Sequence, residues 1–112
     1  MPEQEFDFKP FHCRTEQRGE AAYVRPYGEL DLLTVPDLDE QLRAALDGGS
    51  RRVVLDLRGL SFMDSTGISL VTRWNLESER DGFQFALIQG DERVRRLFEL
   101  TALTDYFVFV DG

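Results

Sequence analysis

The segment from Arg51 to Val71 constrains the fold most, because in it a short apolar strand is followed closely by a helix. The strand is nearly continuous in branched apolar residues from Val53 to Leu57, which is typical of a strand buried on both faces. Asp64–Gly67 then open a stretch with helical spacing. The hydroxyls of Ser65 and Thr66 are therefore expected at the carboxyl end of a central strand, where binding sites are often found in open α/β sheets.

The rest of the chain alternates between strand and helix patterns. Strands are predicted at 8–14 and 21–27, joined by a turn at 17–20, and again at 52–57, 83–88 and 106–110. Helices are predicted from a Thr34 cap to Gly48–Gly49, from about 65 to 80, and from about 91 to 100. This order predicts an α/β fold that begins with a β-hairpin and has a mixed four- to five-stranded sheet with helices packed against it.

The composition predicts one domain over residues 1–112, with residues 1–7 as a flexible N-terminal segment. Its 112 residues, 42% of them hydrophobic, suffice for a single core. Twenty-one acidic against thirteen basic side chains give a net charge of −8, which disfavours nucleic acid and anionic membranes as partners. No signal peptide and no stretch of roughly 20 apolar residues is present, so a soluble cytoplasmic protein is expected.

Ser65 lies at the predicted start of a helix, a position that favours a bound or covalent phosphate. Backbone amides and the positive end of the helix dipole face an anion placed there. Phosphorylation would add about −1.5 to −2 charges beside Asp64 and repel a partner docked on this surface. The alternative is that Ser65 only caps the helix, a contribution of about 1 kcal/mol.

The block LSFMDSTGI, from Leu60 to Ile68, resembles the switch region of the STAS family. Small free-standing members of that family are the anti-sigma-factor antagonists of bacterial partner-switching systems. Two further family marks are GELD at Gly28–Asp31 and VRRLFELTAL at Val94–Leu103. The three marks occur in the family's order and span most of the chain, so the resemblance implies a single STAS-like domain.

The resemblance also implies a phosphorylation-controlled switch. The acceptor would be Ser65, the hydroxyl directly after the motif aspartate, with Thr66 in a supporting role. The dephosphorylated protein would sequester an anti-sigma factor that has serine kinase activity, and so release a sigma factor. A PP2C-type serine phosphatase would reverse the phosphorylation. The expected partner-binding residues are Asp31, Asp64, Ser65, Thr66, Gly67 and Ser69.

Several of these residues also have a structural interpretation. Gly67 either lets a partner approach the helix start, which we favour, or relieves crowding against the sheet. Asp31 either contacts a partner or caps the first helix, and Glu29 is assigned to capping and solvation. Ser69 stands where relatives often have glycine or another small residue, and is interpreted as tuning which partner fits.

The inventory of residues disfavours an enzyme, a metal site or a cofactor. The only histidine, His12, lies in the first predicted strand, away from Ser65, so the base that a serine hydrolase needs is missing. No GxxxxGK[ST] loop for ATP occurs. The carboxylates of Asp37, Asp39 and Glu40 fit the dipole of the helix that they begin better than a cation.

Four further positions concern packing. Cys13 is expected to fill core space, and Trp74 to lie in the core rather than to contact a partner. Ala102 stands where the family often has glycine, so the turn after the third helix either avoids positive φ or carries strain. Family members commonly add a helix after the position of Gly112. That helix is absent, or a partner or a second copy in a weak homodimer covers the apolar surface.

Three alternatives to the antagonist remain open on sequence alone. The chain would serve equally as the regulatory subunit of an ATP-driven transporter or as a module of a stress-signalling assembly. In a different class, it would be a carrier domain for a small ligand. The tightest partner distinguishes them, since a kinase-like ATPase supports the antagonist and a transporter ATPase supports the first alternative.

Overall fold

The sheet of this computed structural model, which describes residues 11–112, is organised around its second strand. The strands are β1 (Phe11–Arg18), β2 (Ala21–Leu30), β3 (Arg52–Asp56), β4 (Leu60–Met63) and β5 (Gln84–Ile88). The helices are α1 (Val35–Asp47), α2 (Ser65–Asp81) and α3 (Glu92–Thr101), with 3-10 turns at Leu57–Gly59 and Thr104–Tyr106. The predicted α/β fold with an initial hairpin and a mixed sheet is confirmed.

Strand β2 carries two parallel partners in succession along one edge. It pairs with β1 in antiparallel register, and its first half, Ala21–Val24, pairs in parallel with β3. Its last residues, Gly28–Leu30, pair in parallel with β4, and β5 pairs with the far side of β3. The register shifts between Gly28 and Glu29, where Gly28 has a φ of 106°. The bulge therefore lies within the β2–β4 pairing and leaves Ser61 of β4 without a counterpart on β2.

The core lies between one face of the sheet and the three helices. The helices contribute buried apolar side chains, including Leu38, Leu42, Ile68, Val71, Trp74, Val94 and Phe98. These meet alternate residues of the strands, namely Val24, Val53, Leu55, Phe85 and Leu87. A second small cluster, Val54, Ala86 and Ile88, lies on the opposite face, which carries none of the described helices.

Two strand predictions need correction. The first strand runs as far as Arg18, so the turn of the hairpin is confined to Gly19 and Glu20, and residues 1–10, including the predicted flexible segment, lie outside the described residues. The predicted strand at 106–110 is wrong. Only Phe109 bridges to Leu87, because residues 104–106 turn into a 3-10 helix and the Tyr106 carbonyl accepts a hydrogen bond from Asn75 of α2 at 3.3 Å.

Three single-residue expectations have clear outcomes. Thr34 precedes α1 but makes no side-chain cap, since its hydroxyl donates to the Glu29 carbonyl at 2.7 Å. Ala102 ends α3 in the left-handed region with a φ of 59°, so the strained alternative is the one found. Cys13 packs against the core, and burial, assisted by the charge of Asp37, raises the pKa of its thiol to about 11.

Trp74 joins α1 to α2 and is fully buried, as predicted. Its indole nitrogen donates to Asp39 Oδ1 at 2.7 Å, so this carboxylate binds a core residue in addition to lying near the helix start. The Arg43 guanidinium lies over the ring, 4.5 Å from the centroid, and forms two hydrogen bonds to the Glu77 carboxylate. The two helices are therefore held by packing and polar contacts together.

We expect Trp74→Phe to destabilise the protein by about 2 kcal/mol, because it removes the hydrogen bond to Asp39 and leaves unfilled space beneath Arg43. The measurement is urea unfolding monitored by far-ultraviolet circular dichroism. Leu76→Ala on the same helix is the control. Leu76 is 54% exposed, so its loss should change the free energy of unfolding by less than about 0.5 kcal/mol. Equal effects of the two substitutions would contradict this role of Trp74.

Candidate functional site

The carboxyl ends of β2 and β4 bring two acidic residues side by side. Leu30 and Met63 are directly paired, and the Asp64 amide donates to the Leu30 carbonyl at 3.2 Å. Asp31 and Asp64 are the residues that follow these two paired residues, and neighbouring strands of a sheet lie about 4.8 Å apart. The two residues therefore follow each other's paired strands at the same edge of the sheet, where α2 begins.

Asp64 is the residue that caps helix α2. Its Oδ1 accepts from the Thr66 amide at 2.9 Å, and the Thr66 hydroxyl donates to the same oxygen. The Asp64 carbonyl accepts from the Gly67 and Ile68 amides at 3.0 and 3.4 Å. Asp64 thus accepts hydrogen bonds from most of the amides in the first turn of α2. It also accepts the hydrogen bond that the Thr66 hydroxyl donates.

Ser65 is the first residue of α2, and its side chain is exposed. Its hydroxyl makes no hydrogen bond to any other residue in the range 11–112, in contrast to that of Thr66. The alternative that Ser65 caps the helix is wrong, because Asp64 does so. Of the two hydroxyls in the motif, only that of Ser65 is both accessible and uncommitted within the described chain.

Gly67 is buried and faces the core of its own chain. A Cβ atom built on it would lie 2.8 Å from Met63 Cγ and 3.0 Å from Leu30 Cδ2. Our preferred interpretation, that this glycine admits a partner, is therefore corrected. The missing side chain lets α2 sit directly on the ends of β2 and β4, which positions Ser65 at the edge of the sheet.

Asp31 has a structural role that the sequence left open. Its Oδ1 accepts from the Leu33 and Thr34 amides at 3.0 and 3.2 Å, which shapes the turn between β2 and α1. Asp31 is half-buried, whereas Glu29 is exposed and pairs across the sheet with Phe62. The structural role of Asp31 is thus to hold the turn before α1, and the capping of the helix itself is not its role.

The sequence reasoning missed two exposed leucines beside this site. Leu32 and Leu33, in the turn that Asp31 shapes, are 73% and 84% exposed. The two leucines directly follow the GELD motif, and they fit neither the alternation of a strand nor the spacing of the next helix. That mismatch is the sequence pattern from which their exposure could have been predicted. Their exposure next to polar residues is typical of a protein-binding surface.

Ser69 extends the same exposed surface along α2. It lies one turn after Ser65, and Arg73 and Leu76 follow at helical spacing. All four side chains are exposed, so they form one stripe that runs from the start of the helix. Ser69 therefore shares a face with Ser65 and is separated from it by a single turn.

Residues 12–111 match the STAS domain family, and the chain belongs to that family. An anti-sigma-B factor antagonist of Staphylococcus aureus (strain NCTC 8325 / PS 47) is 35% identical over 89 residues, which are 80% of this chain and 82% of the relative. The family predicted from the three sequence marks is confirmed.

Two solved structures of SpoIIAA share the fold. The anti-sigma factor antagonist SpoIIAA in its unphosphorylated form matches with a TM-score of 0.72 and 26% identity, over 90% of this chain and 88% of that one. The Bacillus cell fate determinant SpoIIAA in its phosphorylated form matches with a TM-score of 0.67 and 25% identity, over 90% and 91% of the two chains. The same fold thus occurs in a protein solved with and without phosphate.

We expect Asp64→Ala to lower the free energy of unfolding by about 1 kcal/mol, because it removes the oxygen that caps α2. Asp64→Asn keeps an accepting oxygen and should cost about half as much or less, since it loses only the charge facing the helix dipole. Chemical denaturation of the two variants and the parent measures the difference. If both substitutions destabilise equally, the capping hydrogen bond is not the main contribution of Asp64.

Proposed function

We propose that this protein is an anti-sigma-factor antagonist that phosphorylation of Ser65 switches off. The observation that carries the proposal is the accessible, uncommitted Ser65 hydroxyl at the start of α2, directly after the capping aspartate of a STAS domain. Its relatives are named as antagonists of anti-sigma factors. The protein is then not an enzyme but the substrate of one.

The proposed partner surface combines polar and apolar side chains around Ser65. Asp31 and Asp64 lie on one side, and Ser69 continues the surface along the helix. The exposed leucines, Leu32 and Leu33, supply apolar area that a partner would bury. Thr66 and Gly67 support this surface from within, through a hydrogen bond to Asp64 and through close packing.

The proposed switch is a change of charge at the interface rather than refolding. A phosphate on Ser65 would add about −1.5 to −2 charges next to Asp64 and Asp31. The helix dipole favours that charge, but the Thr66 amide is already bound by the Asp64 carboxylate. The phosphate would therefore stay exposed, where it repels acidic groups and disrupts contacts of the docked partner.

The proposed partners are those that membership of the STAS family suggests. The anti-sigma factor would carry the serine kinase activity and the ATP, since this chain has no ATP-binding loop motif. A PP2C-type serine phosphatase would restore the binding form. The site of action would be the cytoplasm, and no helix formed by residues 11–112 is long and apolar enough to cross a membrane.

Incubated with its cognate kinase and ATP, the protein should gain one phosphoryl group. Ser65→Ala should gain none, because the acceptor oxygen is missing. Thr66→Ala is the matched control and should still be modified, since the Thr66 hydroxyl donates to Asp64. Intact-mass and fragment mass spectrometry measure the result, and modification of Thr66 with Ser65 untouched would refute the assignment.

Binding to the anti-sigma factor should weaken in the order Ser65→Ala, Ser65→Asp, phosphoserine. Alanine adds no charge, aspartate adds one, and phosphate adds more charge and more acceptor oxygens. Titration calorimetry with the purified partner measures all three, and higher salt should narrow the differences. Circular dichroism should show unchanged helix and strand content in each.

Gln84→Glu is the control for charge alone. Gln84 is exposed at the amino end of β5, the opposite edge of the sheet from Ser65, and the substitution adds the same single charge as Ser65→Asp. It should leave binding within about twofold of the parent, because screening limits exposed charges to about 8 Å at physiological salt. Tight binding by both Ser65→Asp and the phosphoprotein would exclude the switch.

A further inference from the structure

The face of the sheet that carries no described helix holds a cleft rich in arginine and tyrosine. It is lined by Arg14, Arg18, Tyr23, Arg25, Tyr27 and Asp56, from three neighbouring strands. We call these residues the outer cleft. A net charge of −8 makes such a concentration of guanidinium groups on one face of this chain informative.

Two arginines of the outer cleft lie directly opposite each other. Arg14 of β1 pairs with Arg25 of β2, and like charges at such a cross-strand position are destabilising. Arg25 is compensated by Asp56, with Nε–Oδ2 and Nη2–Oδ2 distances of 2.8 and 2.6 Å. Arg14 is exposed and forms no ion pair with any of the residues 11–112.

One carboxylate serves two guanidinium groups in this region. Asp56 also binds Arg58, through Nε at 3.0 Å and Nη2 at 2.8 Å. Burial raises the pKa of Asp56, but the hydrogen bonds from Arg58 and Arg25 outweigh it and hold the pKa below its usual value. Among residues 11–112, the second carboxylate that lines the cleft is Glu16, which pairs with Arg18 at 2.9 Å on the exposed surface.

Aromatic rings complete the floor of the outer cleft. The Arg18 guanidinium lies 4.1 Å from the centroid of Tyr23, and Tyr27 stacks on His12 with ring centroids 5.0 Å apart. These contacts hold the rings and one arginine in place at the two ends of the cleft. Preordered arginine and tyrosine side chains are typical of surfaces that bind proteins.

We propose that the outer cleft binds an acidic, extended segment of a partner protein. From residue 12 to residue 18, strand β1 spans about 20 Å, which an extended segment of about seven residues matches. Every second side chain of such a segment faces the sheet, so carboxylates four residues apart reach Arg14 and Arg18, and the inward-facing residue between them lies over Glu16. The length of the cleft favours a polypeptide over a small anion, and the negative charge of the whole chain opposes nucleic acid.

This surface is separate from the one around Ser65. The outer cleft is on the face without described helices, whereas Ser65 begins a helix packed on the other face. The protein therefore has room to hold the acidic segment and the anti-sigma factor at once. Binding at the cleft should be unaffected by Ser65→Asp, so failure of one proposal is distinguishable from failure of the other.

The test uses a fluorescent octapeptide with glutamate at its first and fifth positions, serine at its third and seventh and alanine elsewhere, and the same peptide with glutamine in place of glutamate is the uncharged probe. Fluorescence anisotropy at physiological salt, where screening limits exposed charges to about 8 Å, should show binding of the acidic peptide only. Arg14→Glu should weaken it by at least about tenfold, because it reverses the charge at the uncompensated position. Arg93→Glu makes the same change at an exposed arginine of α3 and should alter binding less than about twofold.

Four results would overturn the proposal. Equal weakening by Arg14→Glu and Arg93→Glu would mean that only net charge is sensed. No saturable binding of the acidic peptide, or equal binding of the glutamine peptide, would exclude recognition of carboxylates. Stronger competition by phosphatidylglycerol vesicles or single-stranded RNA than by unlabelled acidic peptide would assign the cleft to a different class of ligand.

Discussion

The parallel pairing of β2 with β4 is the interaction on which the candidate site depends. It joins Leu30 to Met63 and so sets Asp31 beside Asp64 at one edge of the sheet. Helix α2 begins at the next residue, and Gly67 allows it to rest against the two paired side chains. Without this pairing, the acidic turn before α1 and the serine at the start of α2 would have no fixed relation.

The site is consequently built on rigid elements, which bears on how a switch would act. Asp64 is bound through its side chain and its carbonyl to the first turn of α2, and Thr66 is bound to Asp64. A charge added at Ser65 meets a helix start in which Asp64 already binds the Thr66, Gly67 and Ile68 amides. Such a surface transmits the modification as electrostatic repulsion to whatever docks there, with little need for the fold to rearrange.

Acidic and basic side chains are distributed unevenly between two surfaces of the molecule. Carboxylates gather at the edge near Ser65, whereas the arginines of β1 and β2 gather on the outer face. Because a period of two sends alternate residues of a strand to opposite faces, one hairpin supplies Cys13 to the core and Arg14 to the outer cleft. A strand that serves the fold on one side is thus available for binding on the other.

The sequence by itself determined the features that depend on near neighbours. The start of α2 and the place of Ser65 in it follow from apolar spacing and from an aspartate that reaches an amide two residues away. The buried position of Trp74 followed from helical spacing in the same way.

Only the tertiary structure decided the rest, because it depends on contacts between residues distant in the chain. Gly67 turns towards the core of its own chain because Leu30 lies against it. Asp39 binds a core residue because the indole of Trp74, 35 residues further on, donates a hydrogen bond to it. The strand expected at 106–110 shrank to one bridge because its start packs against α2. Arg14 lies opposite Arg25 because the hairpin turn falls at Gly19 and Glu20, whereas the sequence placed the turn only within 17–20 and so left the register open.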